Sequence, residues 1–257
     1  MSTPLLEVAG LTKRFGGLVA VSEVSFQIQP GEIVSIIGPN GAGKTTLFNL
    51  ICRLYTPTSG SVRFEGQDIL RHPAHRLAGL GIGRTFQNLA LFEHGTVVEN
   101  ILVGMHSRLN SGVLGGAFYL GRCQSEEVEA RREVERIIDF LEIEEIRDQP
   151  VSMLSYGLRK RVELGRALAI RPRLLLLDEM VSGMNQEETE DIARFILDLR
   201  DELGAAVLMI EHDMNVVMDI SDSVHVLNFG VPIASGTPAE VSSNPAVIDA
   251  YLGKSAA

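Results

Sequence analysis

The segment Gly38-Pro39-Asn40-Gly41-Ala42-Gly43-Lys44-Thr45 constrains this chain more than any other. It fits the pattern G-x-x-x-x-G-K-[ST] at every fixed position. Before it, Ile33 to Ile37 is a nearly continuous apolar run, the mark of a strand covered on both faces. After it, Thr45 to Ile51 reads as the opening of a helix. Glycines let backbone N–H groups turn inward with no Cβ in the way, and the helix presents its positive end to an anion. Residues 38 to 46, Thr46 included, are therefore expected to cradle the phosphates of a nucleotide. Lys44 would supply a point charge to the β- and γ-phosphates, and the Thr45 hydroxyl would ligate Mg²⁺.

A second segment, Arg173-Leu174-Leu175-Leu176-Leu177-Asp178-Glu179, completes such a site. Its leucine run delivers Asp178 to the C-terminal edge of a strand, where ligands sit in open α/β sheets. There Asp178 is placed to hold Mg²⁺ through water. Glu179, one residue on, is placed to polarise an attacking water as a general base.

Composition narrows the partners. The chain has 257 residues, is 45% hydrophobic and 22% charged, and reads as globular rather than disordered. Its formal charge of -10 counts against a nucleic-acid partner, whose phosphates an acidic surface repels. Cys52 and Cys123 have no His or Cys neighbours at metal-ligand spacing and suit a reducing cytoplasm. The segment Met1 to Gly10 lacks the basic start and apolar core of a signal peptide. No apolar run approaches the ~20 residues that a spanning helix needs, so work at a membrane would be done from one side.

Along the chain, Val24, Phe26 and Ile28 alternate with polar residues up to the turn Pro30-Gly31, and Val62 with Phe64 marks another strand. From about Asn88 to Pro150 the character changes to a helical insertion. Within it, Ser107 to Gly121 reads as an exposed Gly/Ser-rich loop, and Glu126 to Leu141 as a helix burying Val134, Ile137, Ile138 and Leu141. Farther on, Asn185 with Glu188 resembles a capping box opening a helix with Ile192, Phe195, Ile196, Leu199 and Leu203 on its apolar face. Ala206 to Ile210 is a further strand, and Val224 to Leu227 with Val231 to Ala234 forms a hairpin around Phe229-Gly230. Strands alternating with helices predict an α/β fold with a largely parallel sheet.

These motifs resemble those of the nucleotide-binding subunits of ATP-binding cassette (ABC) transporters over nearly the whole chain. Phe15, in Leu11-Thr12-Lys13-Arg14-Phe15-Gly16-Gly17, matches the family's aromatic that stacks on adenine. Gln87, in Arg84-Thr85-Phe86-Gln87, matches the glutamine that senses the γ-phosphate, joins the metal ligands and begins the helical subdomain. His212, in Ile210-Glu211-His212-Asp213, matches the switch histidine. The signature loop falls at Leu154-Ser155-Tyr156-Gly157-Leu158, where Ser155 and the Gly157 backbone would face a γ-phosphate bound to the opposite subunit. Tyr156 and Leu158 depart from the common Leu-Ser-Gly-Gly-Gln, and Met180 stands where the family usually has proline. A hydroxyl donor and one glycine survive in the loop, and methionine at 180 leaves the backbone freer with no chemistry lost.

The resemblance implies a P-loop NTPase with a mostly parallel central sheet, an N-terminal antiparallel β subdomain and an inserted helical subdomain. The chain would be a single ABC ATPase domain, with 1–87 and 158–257 as β subdomain and catalytic core, and about 88–157 as the helical part. It implies ATP and Mg²⁺ as cofactors and Lys44, Gln87, Glu179 and His212 as catalytic residues. The implied partners are membrane permease subunits, a second ATPase subunit in a heterodimer (or a homodimer when purified), and indirectly a solute-binding protein. The implied place is the cytoplasmic face of the membrane, as a peripheral protein. The tyrosine in the signature loop, Gly183-Met184-Asn185, the run Ile210 to Met214 and the ending Asn244-Pro245 to Tyr251-Leu252-Gly253 are most similar to the larger ATPase subunit of branched-chain amino acid importers. Importers of urea, amides or aromatic acids carry similar subunits. Rival readings fit less well: no Asn-Lys-x-Asp guanine-reading sequence is present, and a purely structural relic would not need Lys44, Asp178, Glu179 and His212 intact.

Overall fold

The structure, a computed structural model, describes residues 3–85, 91–107 and 122–252. In chain order the elements are β1 (Leu6–Phe15), β2 (Leu18–Ile28), β3 (Ile33–Ile37), α1 (Lys44–Ile51), β4 (Ser59–Phe64), β5 (Gln67–Asp68) and β6 (Ile82–Arg84). There follow α2 (Val97–Gly104), α3 (Arg122–Phe140), α4 (Tyr156–Leu168), β7 (Leu174–Asp178), α5 (Gln186–Leu203) and β8 (Ala206–Ile210). The last are α6 (Met214–Ile220), β9 (Ser223–Asn228), β10 (Val231–Gly236), α7 (Pro238–Ser242) and α8 (Pro245–Leu252). The chain divides into two compact units, Met1–Leu77 with Arg173–Ala257, and Ala78–Pro172.

The first unit holds an antiparallel sheet in the order β2-β1-β4-β5, and the run β10-β9-β3-β8-β7 of a largely parallel one. There β3 lies parallel to both β8 and β9, and β7 parallel to β8; only the β9–β10 hairpin runs antiparallel. Every residue of β3, β7 and β8 is buried, as continuous apolar runs demand when both faces are covered. The one hydroxyl in β3, Ser35, is accommodated by a 2.6 Å contact with the Ser221 hydroxyl. In β2 the expected alternation holds, with Val24, Phe26 and Ile28 inside and Ser25 and Gln27 outside.

Helix α5 opens on a full capping box: Asn185 Oδ1 accepts from the Glu188 N–H at 2.9 Å, and Glu188 Oε2 accepts from the Asn185 N–H at 3.2 Å. Ile192, Phe195, Ile196 and Leu199 are buried. Leu203 is not: it is 61% exposed, because the helix ends there at Gly204, which adopts φ 64 and turns the chain away.

The second unit runs wider than the 88–157 expected from sequence, since α4 packs inside it. Where α2 meets α4, a Cβ on Gly104 would fall 2.3 Å from the Arg166 carbonyl oxygen. A Cβ on Gly165 would fall 3.0 Å from both Ile101 and Leu141. On α3, Val134, Ile137 and Ile138 are buried as expected, and Leu141 just beyond it likewise. Buried Asn100 on α2 ties down the preceding loop, accepting from the Phe92 N–H and donating to the Phe92 and Thr96 carbonyls. Most of the expected loop from Ser107 to Gly121 lies outside the described residues.

Candidate nucleotide-binding site

In the first unit the chain leaves β3 and turns through the glycine loop before α1 begins. Gly38, Gly41 and Gly43 adopt φ 148, 80 and 97. At two of them nothing but glycine fits: a Cβ on Gly38 would fall 2.1 Å from the Leu227 carbonyl oxygen, and one on Gly43 2.4 Å from that of Ala20. The loop is stapled from the far side, where the Gly230 N–H donates to the Ala42 carbonyl at 2.9 Å. Gly43 starts α1 without any side-chain cap, so the N–H groups of the first turn are offered to a ligand.

Lys44, only 5% exposed, folds its ammonium back over the loop and donates to the carbonyls of Gly38 (2.6 Å) and Pro39 (3.2 Å). A cleft of about 450 Å³ opens here, lined by Asn40, Gly41, Ala42, Gly43, Lys44, Thr45, Thr46, Glu179 and His212 together with Phe15, Leu18, Val19, Ala20 and Phe229. Phe15, the last residue of β1, is 42% exposed and makes an edge contact with Tyr55, ring centroids 5.4 Å apart. The cleft thus joins a cationic, N–H-rich end to an aromatic and aliphatic end, as a nucleoside triphosphate requires. Thr45 is exposed at the start of α1, and Asp178 is buried as the last residue of β7. A hydroxyl and a carboxylate oxygen are the donors a hard cation such as Mg²⁺ takes when substrate phosphates complete its shell.

Glu179 sits just past β7 with φ 51, a left-handed conformation unusual for a side chain of its size. Its N–H donates to the Ile210 carbonyl at 2.9 Å, which ties the strained residue to the end of β8. Its Oε1 lies 2.9 Å from His212 Nε2. The sequence-expected base and switch histidine are therefore in direct contact although 33 residues apart.

Sequence reasoning passed over Glu211 between them. It is 3% exposed and its Oε1 accepts from the Val181 N–H at 3.2 Å, tying the residues after Glu179 to the histidine segment. Burial pushes its carboxyl up to about 7, opposed by the N–H groups of Val181, Met180 and His212 and aided by the charge of Glu179. The available signal was an acidic residue directly after the apolar run of β8. Leu18, Val19, Ala20 and Phe229 were also missed as cleft residues, having no motif of their own.

The signature segment belongs to the second unit. Ser155 is the N-cap of α4, exposed, its Oγ accepting from the Leu158 N–H at 3.3 Å; Gly157 is buried in the first turn. Tyr156 is 44% exposed, with Lys160 Nζ 5.9 Å from its ring centroid. Gln87 lies outside the described residues.

A family model described as ABC transporter matches residues 21–182, and one described as branched-chain amino acid ATP-binding cassette transporter matches residues 231–257. The chain belongs to the ABC transporter family. It is an ATP-binding subunit of that family and an ATPase. Over 254 residues it is 45% identical to the high-affinity branched-chain amino acid transport ATP-binding protein BraF of Pseudomonas aeruginosa, covering 99% of this chain and 100% of that one. LivG of Escherichia coli, of the same description, is 42% identical with the same coverage. Among solved structures, the ADP conformation of MJ1267, an ATP-binding cassette of an ABC transporter, aligns with TM-score 0.86 and 33% identity, covering 98% of this chain and 100% of that one. A nucleotide-free cassette from an ABC transporter aligns at TM-score 0.84 and 33% identity, covering 97% and 99%.

Proposed function

We propose that this ABC ATPase powers import of branched-chain or other hydrophobic amino acids through a separate membrane permease, working from the cytoplasmic face. The observation that carries the ATPase part is the 2.9 Å contact of Glu179 with His212 in the same cleft as the glycine loop. The full-length likeness to BraF and LivG supports the cargo. A peripheral attachment agrees with the absence, among the described residues, of any helix long and apolar enough to cross a membrane. In the second unit a cleft of about 480 Å³ beside Phe92 (59% exposed) and Val103 (47% exposed) suits a short amphipathic helix of the permease.

In the proposed cycle Phe15 stacks on adenine, and residues 38–46 hold the phosphates through their N–H groups. The Lys44 ammonium exchanges the Gly38 and Pro39 carbonyls for β- and γ-phosphate oxygens. Thr45 and Asp178 would hold Mg²⁺, which would offset the charge on the phosphate oxygens. Glu179 takes the proton of the water that attacks the γ-phosphorus, and the bond to the bridging oxygen breaks so that ADP and phosphate are formed. His212 fixes the carboxylate and stabilises charge growing on the γ-phosphate. Ser155 and Gly157 of a second ATPase subunit close the site, so hydrolysis releases the two subunits from each other.

The test is reconstitution in vesicles with the permease subunits, the second ATPase and the solute-binding protein. ATP-dependent uptake of leucine, lost with Lys44→Ala, is expected. Uptake of urea or an aromatic acid with no uptake of leucine would overturn the cargo and leave the ATPase assignment standing.

A further inference from the structure

The hairpin between β9 and β10 turns on Phe229 and Gly230, at φ 47 and 80. Positive φ at both central positions is the mark of a type I′ turn, where Asn, Asp and Gly are at home and a bulky aromatic is not. Phe229 is nonetheless placed there, 73% exposed, on the wall of the nucleotide cleft. The turn is not loose. Its Gly230 N–H donates to the Ala42 carbonyl of the glycine loop at 2.9 Å, and its Gly230 carbonyl accepts from the Ser22 N–H at 2.8 Å. A Cβ on Gly230 would fall 2.7 Å from the Ala20 oxygen, so the hairpin tip presses closely on β2. A bulky aromatic at a left-handed turn position, 73% exposed on the cleft wall beside a glycine fastened to the phosphate loop, opposes turn preference; a stacking role in the cleft accounts for it.

We propose that Phe229 contacts the base of the bound nucleotide, so that two aromatic side chains, Phe15 and Phe229, hold it rather than one. The proposal rests on the reading of this cleft as the ATP site. It divides the cleft's work: the glycine loop and Lys44 hold the phosphates, and the hairpin tip holds the base.

Titration calorimetry with ATP and with inorganic tripolyphosphate, on the wild-type chain and on Phe229→Asn and Phe229→Tyr, tests it. Asn suits the turn, so Phe229→Asn should keep or raise the thermal midpoint. Its affinity for ATP should fall about 5-fold or more, as loss of one base-stacking ring does. Its affinity for tripolyphosphate should stay within about twofold, and Phe229→Tyr should retain wild-type ATP affinity. ATP affinity unchanged in Phe229→Asn, or ATP and tripolyphosphate weakened alike, would overturn the proposal while leaving the ATP site intact. A wild-type chain that binds neither probe would overturn the reading of the site itself.

Discussion

Helices α1 and α4 both begin where a phosphate is expected, yet they are capped in opposite ways. Behind α1 stands Gly43, at φ 97 and with no side-chain cap, so its first-turn N–H groups are left to the ligand. Behind α4 stands Ser155, whose Oγ already accepts from the Leu158 N–H at 3.3 Å. A hydroxyl that accepts still has its own proton to donate. The first helix start is therefore built to be completed by nucleotide. The second already has one first-turn N–H met by its own side chain, and on the proposed reading keeps the Ser155 O–H and the Gly157 backbone for a phosphate held elsewhere. That difference suits the proposed site shared between two subunits, in which one half would bind the nucleotide and the other recognise it.

The largest effect expected from breaking this scheme is at the first site. Glu179→Gln should lower hydrolysis by roughly 10²–10⁴-fold while ATP still binds, read from steady-state phosphate release and nucleotide titration. Wild-type turnover in that variant would remove Glu179 as the base. The second helix start is tested by Ser155→Ala, which should cost about 1 kcal/mol of stability through loss of the cap. The isolated chain should bind ATP as before, whereas the assembled transporter should hydrolyse it about 10-fold more slowly. Weakened ATP binding by the isolated Ser155→Ala chain would merge two sites that the scheme keeps separate. The smallest effect concerns Glu211, whose buried carboxyl titrates at about 7 against an ordinary 4.5. Between those values the folded chain binds more protons than the unfolded one, so this group's contribution to stability falls as pH rises. Glu211→Gln stays neutral, and its thermal midpoint relative to wild type should rise from about pH 5 to about pH 8. Parallel curves would mean that the carboxyl titrates normally.

The parts of the molecule legible in the sequence are those where one physical requirement dominates. Strands β3, β7 and β8 are covered on both faces, so their apolar runs declare them. The glycine loop was legible because a Cβ at Gly38 or Gly43 would strike a backbone carbonyl. Strand β1 was harder: its register shifts between Val8 and Leu11 and again toward Arg14, which breaks the alternation that would mark a strand. Leu203 fits the helical spacing of α5 but is its last residue, just before the Gly204 cap, where spacing no longer implies burial. Glu211 and Phe229 were legible only as a strand end and a turn. Glu211's place against the Val181 N–H and Phe229's place on the cleft wall follow from parallel pairing of β7 with β8 and from the Gly230–Ala42 bond, both long-range in sequence.

The most direct measurement is calorimetric titration of Mg-ATP into the wild-type chain and into Lys44→Ala. The loop geometry, with a buried ammonium 2.6 Å from the Gly38 carbonyl, predicts saturable binding by the wild type and a loss of at least about 10-fold in the variant. No heat of binding in the wild type, or equal affinity in the two proteins, would contradict the assignment of this cleft as the ATP site.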